Sequence, residues 1–442
     1  MKANNRSDLS PPPPLASTNI GSSSTSLNEM EQECNLIFPD GGWPAWGVVI
    51  GSWCAMVPSF GLMNSIGVFE AWLADHQLKD YSKASIGWIF SLYVFFLYFG
   101  SIQVGPIFDA HGLKPLLIPG CVGLVGSLMV FSVAEEYYQF MLGFSVLGGI
   151  SSSMVFTPSV GCIAHWFLRR RALATGVAAT AGGIGGIIFP VLVSNLAGSL
   201  GFPWAIRIVG FISVMFCALS VALLRTRAPL LNPIQKGKMD IKSLSELRFS
   251  LLTAAIVLID FALLIPVTYL PSYAQSRGLG DSLAYNLSSI LNAASIFGRI
   301  VPGYFADRFG CFNVMIITAF ACSVITFALW LPSQSNHTAI LAYAVLFGFW
   351  SGSAISLSPV CVAQISKTDE FGKRYGTTYF LVSLGTLIAI PIAGELLKVQ
   401  PPNEGLDNYF GLIVLCGLVY SCACLFFILS RAVSVGWGFK VF

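Results

Sequence analysis

Long apolar runs recur along this chain from Trp43 almost to its end, and short polar turns separate most of them. Each run has about 20 residues, enough for a helix to cross the roughly 30 Å hydrocarbon core of a bilayer. The crossings lie near residues 46–69, 85–107, 115–134, 139–166, 172–196, 204–224, 249–274, 284–306, 312–332, 339–365, 375–397 and 408–430. The pattern predicts an all-α membrane protein with twelve transmembrane helices.

The longest polar interval, residues 225–248, divides these crossings into two sets of six. Residues 1–38 are polar and rich in Pro and Ser, so we expect a disordered cytoplasmic tail that cannot bury a core. The other predicted parts are a first half at 39–224, a cytoplasmic central loop at 225–248, a second half at 249–431 and a cytoplasmic tail at 432–442. With both termini in the cytoplasm, 18 of the 24 Lys and Arg residues fall on that side, as the positive-inside rule favours.

The composition supports the membrane assignment and excludes other classes of protein. Hydrophobic residues make up 55% of the chain and charged residues 10%, whereas soluble domains carry about 25% charged residues. The net charge of +3 is too small for nucleic acid to be the main partner. The sequence has no G-x-x-x-x-G-K-[ST] motif, no catalytic constellation and no metal-ligand spacing. We therefore expect lipid surroundings, no enzyme activity, no cofactor, no metal and no direct use of ATP.

A short motif with two glycines around an aspartate follows the second crossing and recurs after the eighth. Its residues are Gly105, Asp109 and Gly112 in the first copy, and Gly303, Asp307 and Gly310 in the second, 198 positions later. Gly176 and Gly376 likewise open the fifth and eleventh crossings. Matches at nearly one offset indicate a duplicated six-helix unit, so we expect substrate to bind between the halves near the bilayer midplane.

The repeated motif resembles the signature loop of the major facilitator superfamily. In that family the loop is thought to latch one conformation of an alternating-access cycle. Its glycines permit close backbone approach, and its carboxylate can receive a helix N-terminus or an arginine across the turn. An ordinary charged turn is the other interpretation of each copy.

Two further segments resemble the signatures of the monocarboxylate transporter family. The first is Asp40, Gly41, Gly42 and Trp43, which offers a carboxylate at a helix start before the first crossing. The second precedes the fifth crossing and includes Arg171 and Gly176. Its arginines also suit ordinary anchoring on the cytoplasmic side. The resemblance covers residues 39–432 and is closest to the fungal branch, which includes carriers for monocarboxylates and riboflavin and exporters of secondary metabolites.

The chain departs from the members of this family that carry protons together with lactate-like acids. Those members have a lysine late in the first crossing and an aspartate one turn before the arginine of the eighth. The matching positions here are Asn64 and Ser295, while Arg299 fits the arginine. The resemblance therefore implies that Arg299 binds substrate, whereas we expect Asn64 and Ser295 only to line the pathway.

Two ionisable residues lie near mid-depth in predicted crossings, where each charge costs roughly 2.5–3.5 kcal/mol on insertion scales. Arg299 is in the eighth crossing and Asp260 in the seventh. One interpretation is a permanent ion pair that fixes helix packing. In the other, Arg299 binds an anionic substrate once Asp260 is protonated. Tyr269 offers a hydroxyl to a polar solute or, equally, to a backbone carbonyl.

The sequence therefore predicts a secondary active transporter that moves a small organic anion or metabolite by alternating access. We favour efflux of a secondary metabolite or an organic acid. Protons as the coupling ion and the plasma membrane as the location follow from the resemblance alone. Proton-coupled monocarboxylate uptake is the alternative within transport, and a non-transporting nutrient sensor on a carrier scaffold is the alternative of another class.

Overall fold

The computed structural model describes residues 38–227, 241–334, 336–367, 370–398 and 409–436. These ranges are almost entirely helical and contain no β-strand. Helices suit an apolar chain because lipid cannot bond to exposed backbone groups, which must be satisfied within each segment. The predicted tails and central loop fall largely on residues 1–37, 228–240 and 437–442, which lie outside the described residues.

The helices of the first half are numbered α1 to α6. α1 comprises Gly42–Asn64 and, after a break at Ser65, Ile66–Asp75. α2 comprises Lys83–Phe99 and Ser101–His111, and α3 is Lys114–Val133. α4 comprises Tyr137–Gln139, the π-helical Phe140–Gly148 and Gly149–Trp166. α5 is Arg171–Leu200 and α6 is Phe202–Leu223.

The helices of the second half, α7 to α12, follow a short 3-10 turn at Ile241–Ser245. α7 is Leu247–Ser276, α8 is Asp281–Phe309, and α9 comprises Cys311–Ile325 and the π-helical Thr326–Trp330. α10 is His337–Gln364, α11 is Phe371–Lys398 and α12 is Phe410–Val435.

Eleven of the described helices, all of these except α8, are long and apolar enough to cross a membrane. The chain is therefore an integral membrane protein. α8 has 29 residues and is about 43 Å long at about 1.5 Å per residue, but it carries Asn292, Arg299 and Asp307. Because these polar residues lower its hydropathy, a crossing by α8, and with it the number of twelve, stays a prediction.

The last glycine of each repeated motif ends a helix. Gly112 and Gly310 have φ angles of 77° and 90°, in the left-handed region that disfavours side chains. Their N–H groups donate to the carbonyl oxygens of Phe108 and Ala306, each at 2.9 Å. This C-terminal cap explains why both copies of the motif require glycine at this position.

Two pairs of helices carry the main contacts between the halves. α2 packs against α11, and α5 packs against α8. Since α2 matches α8 and α5 matches α11 in the sequence repeat, these two interfaces are equivalent. Within the halves, α1 packs against α4, α5 and α6, and α7 packs against α11 and α12. The residues that join or line the two halves therefore lie on α2, α5, α8 and α11.

Candidate functional site

The first motif aspartate binds the opposite half of the molecule. Asp109, in α2, accepts hydrogen bonds from the backbone N–H of Gly372 at 3.0 Å and of Lys373 at 2.8 Å. Both donors lie in the first turn of α11, where N–H groups have no partner within the helix and the dipole favours a negative charge. The carboxylate of Asp109 therefore caps a helix of the second half.

The second motif aspartate makes the reciprocal contact. Asp307, in α8, accepts hydrogen bonds from the N–H of Ala172 and of Leu173, each at 2.9 Å. These donors open α5, in the first half. The two halves thus exchange caps, and we call the end of the bundle that holds both caps the latch end.

Glycines let the backbones meet beneath these caps. A Cβ on Gly105 would overlap the carbonyl oxygen of Gly372, and a Cβ on Gly303 would lie 2.9 Å from that of Ala172. A Cβ on Gly176 would overlap the carbonyl oxygen of Arg299. Because no side chain fits at these crossings, the glycines of the motif and of the second signature permit the contact between halves.

The two signature segments contact each other. The Oδ1 atom of Asp40 accepts hydrogen bonds from the N–H groups of Leu168, Arg169 and Arg170, at 2.7, 2.8 and 3.2 Å. Asp40 thus lies just before α1 but bonds to the loop before α5, and no side chain caps α1. Asp40 has a positive φ of 49°, and its carboxylate contacts the loop that precedes α5.

The glycines and the tryptophan of the first signature have separate roles. Gly42, with φ of 81°, follows Gly41 and begins α1. Trp43 is 91% exposed, which suits an indole at a membrane interface. Neither contributes to the contact with the second signature that Asp40 makes.

Arg171 differs from the two arginines before it. Its side chain is buried, and it donates to the carbonyl oxygens of Phe167 at 2.8 Å and of Ala164 at 3.1 Å. These carbonyls lie in the last turn of α4 and just after it, where intrahelical partners are missing. Arg169 and Arg170 are exposed, as charged anchors would be.

The second half repeats this arrangement with residues that the sequence reading missed. Arg374 donates to the carbonyl oxygen of Ile365, after α10, at 3.2 Å and to the Glu246 carboxylate at 2.7 Å. Glu246 directly precedes α7, as Asp40 precedes α1. The Arg374 hydrogen bonds lower the pKa of Glu246. Arg374 and Glu246 lie 203 and 206 positions after Arg171 and Asp40, whereas the repeated glycines have offsets of 198 and 200, so the sequence repeat does not mark them.

Arg299 lies at the centre of the bundle. It is 1% exposed, its Nη1 donates to the carbonyl oxygen of Ala179 at 2.5 Å, and its guanidinium lies 5.4 Å from the ring centre of Phe60. Its Nε has no hydrogen-bond partner among the described residues. The cation is thus held by α5 and α1 with a donor left over.

Asp260, in α7, is 7% exposed. Within the described residues it forms no ion pair with Arg299, so the structure contains no permanent clamp between them. Tyr98, from α2, lies near both Asp260 and Arg299. Tyr375 and Tyr379, from α11, also lie near Asp260.

These tyrosines form a stack between the halves. The ring centres of Tyr98 and Tyr379 are 5.3 Å apart, and those of Tyr375 and Tyr379 are 4.3 Å apart. No spacing in the sequence marks these residues, since they come from two helices that meet only in the fold.

Two of the remaining candidate side chains form hydrogen bonds within the protein, and one has a polar atom without a partner. Tyr269 donates to the carbonyl oxygen of Ile390 at 3.0 Å, which joins α7 to α11. Ser295 donates to the carbonyl oxygen of Asn292 at 2.8 Å within α8. The buried Nδ2 of Asn64 has no partner among the described residues. The same part of the chain has no group of three His, Cys, Asp or Glu residues that could hold a metal ion.

The fold and these contacts define a helical membrane carrier whose halves meet through exchanged caps. Residues 48–390 match the Major Facilitator Superfamily. The chain belongs to this superfamily and is a transporter.

Its fungal relatives include proteins of known cargo. A riboflavin transporter of Saccharomyces cerevisiae is 36% identical over 442 residues, which cover 94% of this chain and 84% of the relative. The fujikurins efflux protein of Gibberella fujikuroi is 37% identical over 362 residues, covering 81% and 77%. The aspyridones efflux protein of Emericella nidulans is 35% identical over 363 residues, covering 82% and 73%. The chain is thus similar to fungal transporters of organic metabolites.

Solved structures share the fold. The human organic anion transporter MFSD10 superposes with a TM-score of 0.67 at 15% identity, covering 86% of this chain and 98% of that one. The proton:xylose symporter XylE superposes with a TM-score of 0.70 at 14% identity, covering 86% and 94%. At such identities the similarity concerns the helical architecture alone.

Proposed function

We propose that this transporter exports a small organic anion, an organic acid or an acidic metabolite, by rocking its two halves about a central site. The observation that carries the proposal is Arg299, a buried cation with an unpartnered donor and no carboxylate clamped to it. A buried charge is costly unless it is paired, so an anionic cargo gives this guanidinium its partner.

Asp260 supports this proposal as a second buried ionisable group, in α7. A carboxyl group on the pathway repels an anionic cargo when ionised and admits it when protonated. The coupling ion that we propose is therefore the proton. The hydroxyls of Tyr98, Tyr375 and Tyr379 lie between the halves. There they can change their hydrogen bonds when Asp260 gains or loses a proton during the cycle.

The exchanged caps supply the conformational part of the proposal. Separating the halves at the latch end removes the partners of both Asp109 and Asp307. Helix caps contribute about 1 kcal/mol each, enough to favour a closed latch end and weak enough to open in every cycle. We propose that this end is cytoplasmic, that α8 is the twelfth crossing, and that the protein acts in the plasma membrane.

The direction of transport rests on the relatives. Two of the similar fungal proteins are efflux proteins for metabolites, which favours export. Export is also favoured by the absence of two charges that the proton–lactate carriers have, because Asn64 and Ser295 stand at those positions.

Metabolite profiling of a deletion strain tests the proposed function. We expect one acidic compound to accumulate inside the cells, and expression of the wild-type chain to return it to the medium. The Arg299→Gln variant should fail to do so, whereas Arg207→Gln should succeed, because Arg207 bonds to Ser132 near the start of α6. The monocarboxylate alternative predicts a different result: reconstituted vesicles would take up lactate saturably, and Arg299→Ala would abolish this uptake.

A further inference from the structure

Along the glycine-rich face of α5, the guanidinium of Arg299 lies one turn from the amide side chains of Asn64 and Asn292. At Gly182, the position of a Cβ is 3.0 Å from the Nη1 of Arg299. At Gly186, it is 2.7 Å from the Cβ of Asn64 and 3.0 Å from the Nδ2 of Asn292. Cβ positions four residues apart on a helix are about 5–6 Å apart. The guanidinium and the two amides are thus separated by about one helical turn.

The Asn64 amide nitrogen is unsatisfied, unlike two serine hydroxyls near it. Its buried Nδ2 has no partner among the described residues. By contrast, Ser65 donates to the carbonyl oxygen of Gly61 at 2.7 Å, and Ser295 to that of Asn292 at 2.8 Å. Leaving a buried donor unpaired is costly, and most buried polar groups in proteins are paired. An acceptor from outside the chain would remove this cost.

Asn64 also stands at an interruption of its helix. The first segment of α1 ends at Asn64, and the second begins at Ile66. Carriers place broken helices at their binding sites, because the break exposes polar groups at membrane depth. Across α5, Asn292 is buried in α8, two turns before Arg299 on the same face.

We propose that Asn64 and Asn292 form an uncharged subsite beside Arg299, and that the cargo carries a carbonyl or similar acceptor about 6 Å from its anionic group. This inference rests on the proposed function, since Arg299 must bind the anion. It adds a length and a second functional group to the cargo: an oxo-acid or an acid with a distant amide or lactone carbonyl, rather than a simple short acid.

Three six-carbon acids test the spacing with the purified, full-length protein. Hexanoate has no ketone. The isomers 2-oxohexanoate and 5-oxohexanoate each have one, next to the carboxylate in the first and far from it in the second. Dissociation constants from thermal-shift titrations should be about fivefold lower for 5-oxohexanoate than for the other two, which corresponds to one added hydrogen bond. Asn64→Leu should remove this preference, so that 5-oxohexanoate binds no more tightly than hexanoate.

Two controls separate the subsite from the anion site. Asn195→Leu, at an exposed amide that bonds to the carbonyl oxygen of Val191, should keep the preference for 5-oxohexanoate. Arg299→Gln should weaken the binding of all three acids. Equal binding of the two isomers, or a preference that survives both Asn64→Leu and Asn292→Leu, would overturn the subsite alone. Failure of every acid to bind the wild-type protein would overturn the proposed anion site as well.

Discussion

The carboxylate of Asp109 caps the helix that begins beside Gly372, although 263 residues separate the two in the chain. The backbones touch at the same point, because Gly105 and Gly372 leave no room for a side chain between them. Asp307 repeats the contact on α5. One sequence motif thus provides both the close approach and the polar contact that hold the latch end closed.

Removing the two caps should open the latch end. In the Asp109→Ala/Asp307→Ala variant, each helix start loses its cap, a change of about 1 kcal/mol per cap, or about fivefold in the equilibrium for each. Spin labels at the exposed positions Lys114 and Lys367 should report a larger population of long distances. Asp75→Ala, at an exposed residue on α1, serves as the control, and an unchanged distance distribution would contradict the latch.

A methyl group on Gly176 should disturb transport more than one on Gly47. The Cβ of Gly176→Ala would overlap the carbonyl oxygen of Arg299, whereas that of Gly47→Ala meets nothing within 4 Å. Both variants should enter the membrane, but only Gly176→Ala should lose flux, because α5 and α8 can no longer close. If vesicles with the Gly176→Ala variant transported substrate as fast as the wild type, the close contact between α5 and α8 would not be required.

Removing the Asp40 carboxylate should destabilise the first half. Asp40→Ala leaves the N–H groups of Leu168, Arg169 and Arg170 without their shared acceptor. Hydrogen bonds to a charged group contribute about 1.5–3 kcal/mol, and the lower part of that range suits this partly exposed loop. Thermal unfolding of the purified variant should begin several degrees lower, while Asp80→Asn, at an exposed turn, should match the wild type.

The Glu246–Arg374 contact predicts a pH dependence of stability. Hydrogen bonds from Arg374 lower the pKa of Glu246, so its stabilising effect is complete above the ordinary glutamate pKa and is lost as the pH falls through the lowered value. Glu246 is 38% exposed, which limits the effect to about 1 kcal/mol or less. The melting temperatures of the wild type and Glu246→Gln should therefore differ at pH 7 and converge below about pH 4. A difference that persists in acid would contradict this assignment.

Hydropathy and two glycine motifs were enough to predict a helical membrane transporter of this superfamily, and both conclusions are confirmed. The same signal is weakest for α8, because the residues that serve the interior, Asn292 and Arg299 among them, lower its hydropathy. Local sequence patterns are thus weakest in the helix that carries the proposed site.

The sequence could not predict which groups the individual side chains contact. The carboxylate of Asp40 accepts a hydrogen bond from Leu168, 128 positions away, instead of capping the helix that follows it. The Tyr98–Tyr379 stack depends on which faces of α2 and α11 meet. Such contacts between halves depend on helix rotation, which hydrophobic periodicity fixes poorly in helices that are apolar on every side.

The most direct test of the central claim measures which compounds Arg299 allows the protein to move. Inside-out membrane vesicles would be supplied with an extract of the organism's small molecules, and their contents compared by mass spectrometry. We predict that the wild type concentrates acidic compounds, that Arg299→Gln reduces this accumulation by roughly tenfold or more, and that Arg207→Gln does not. Accumulation of only neutral compounds, or undiminished accumulation of acids with Arg299→Gln, would contradict the account.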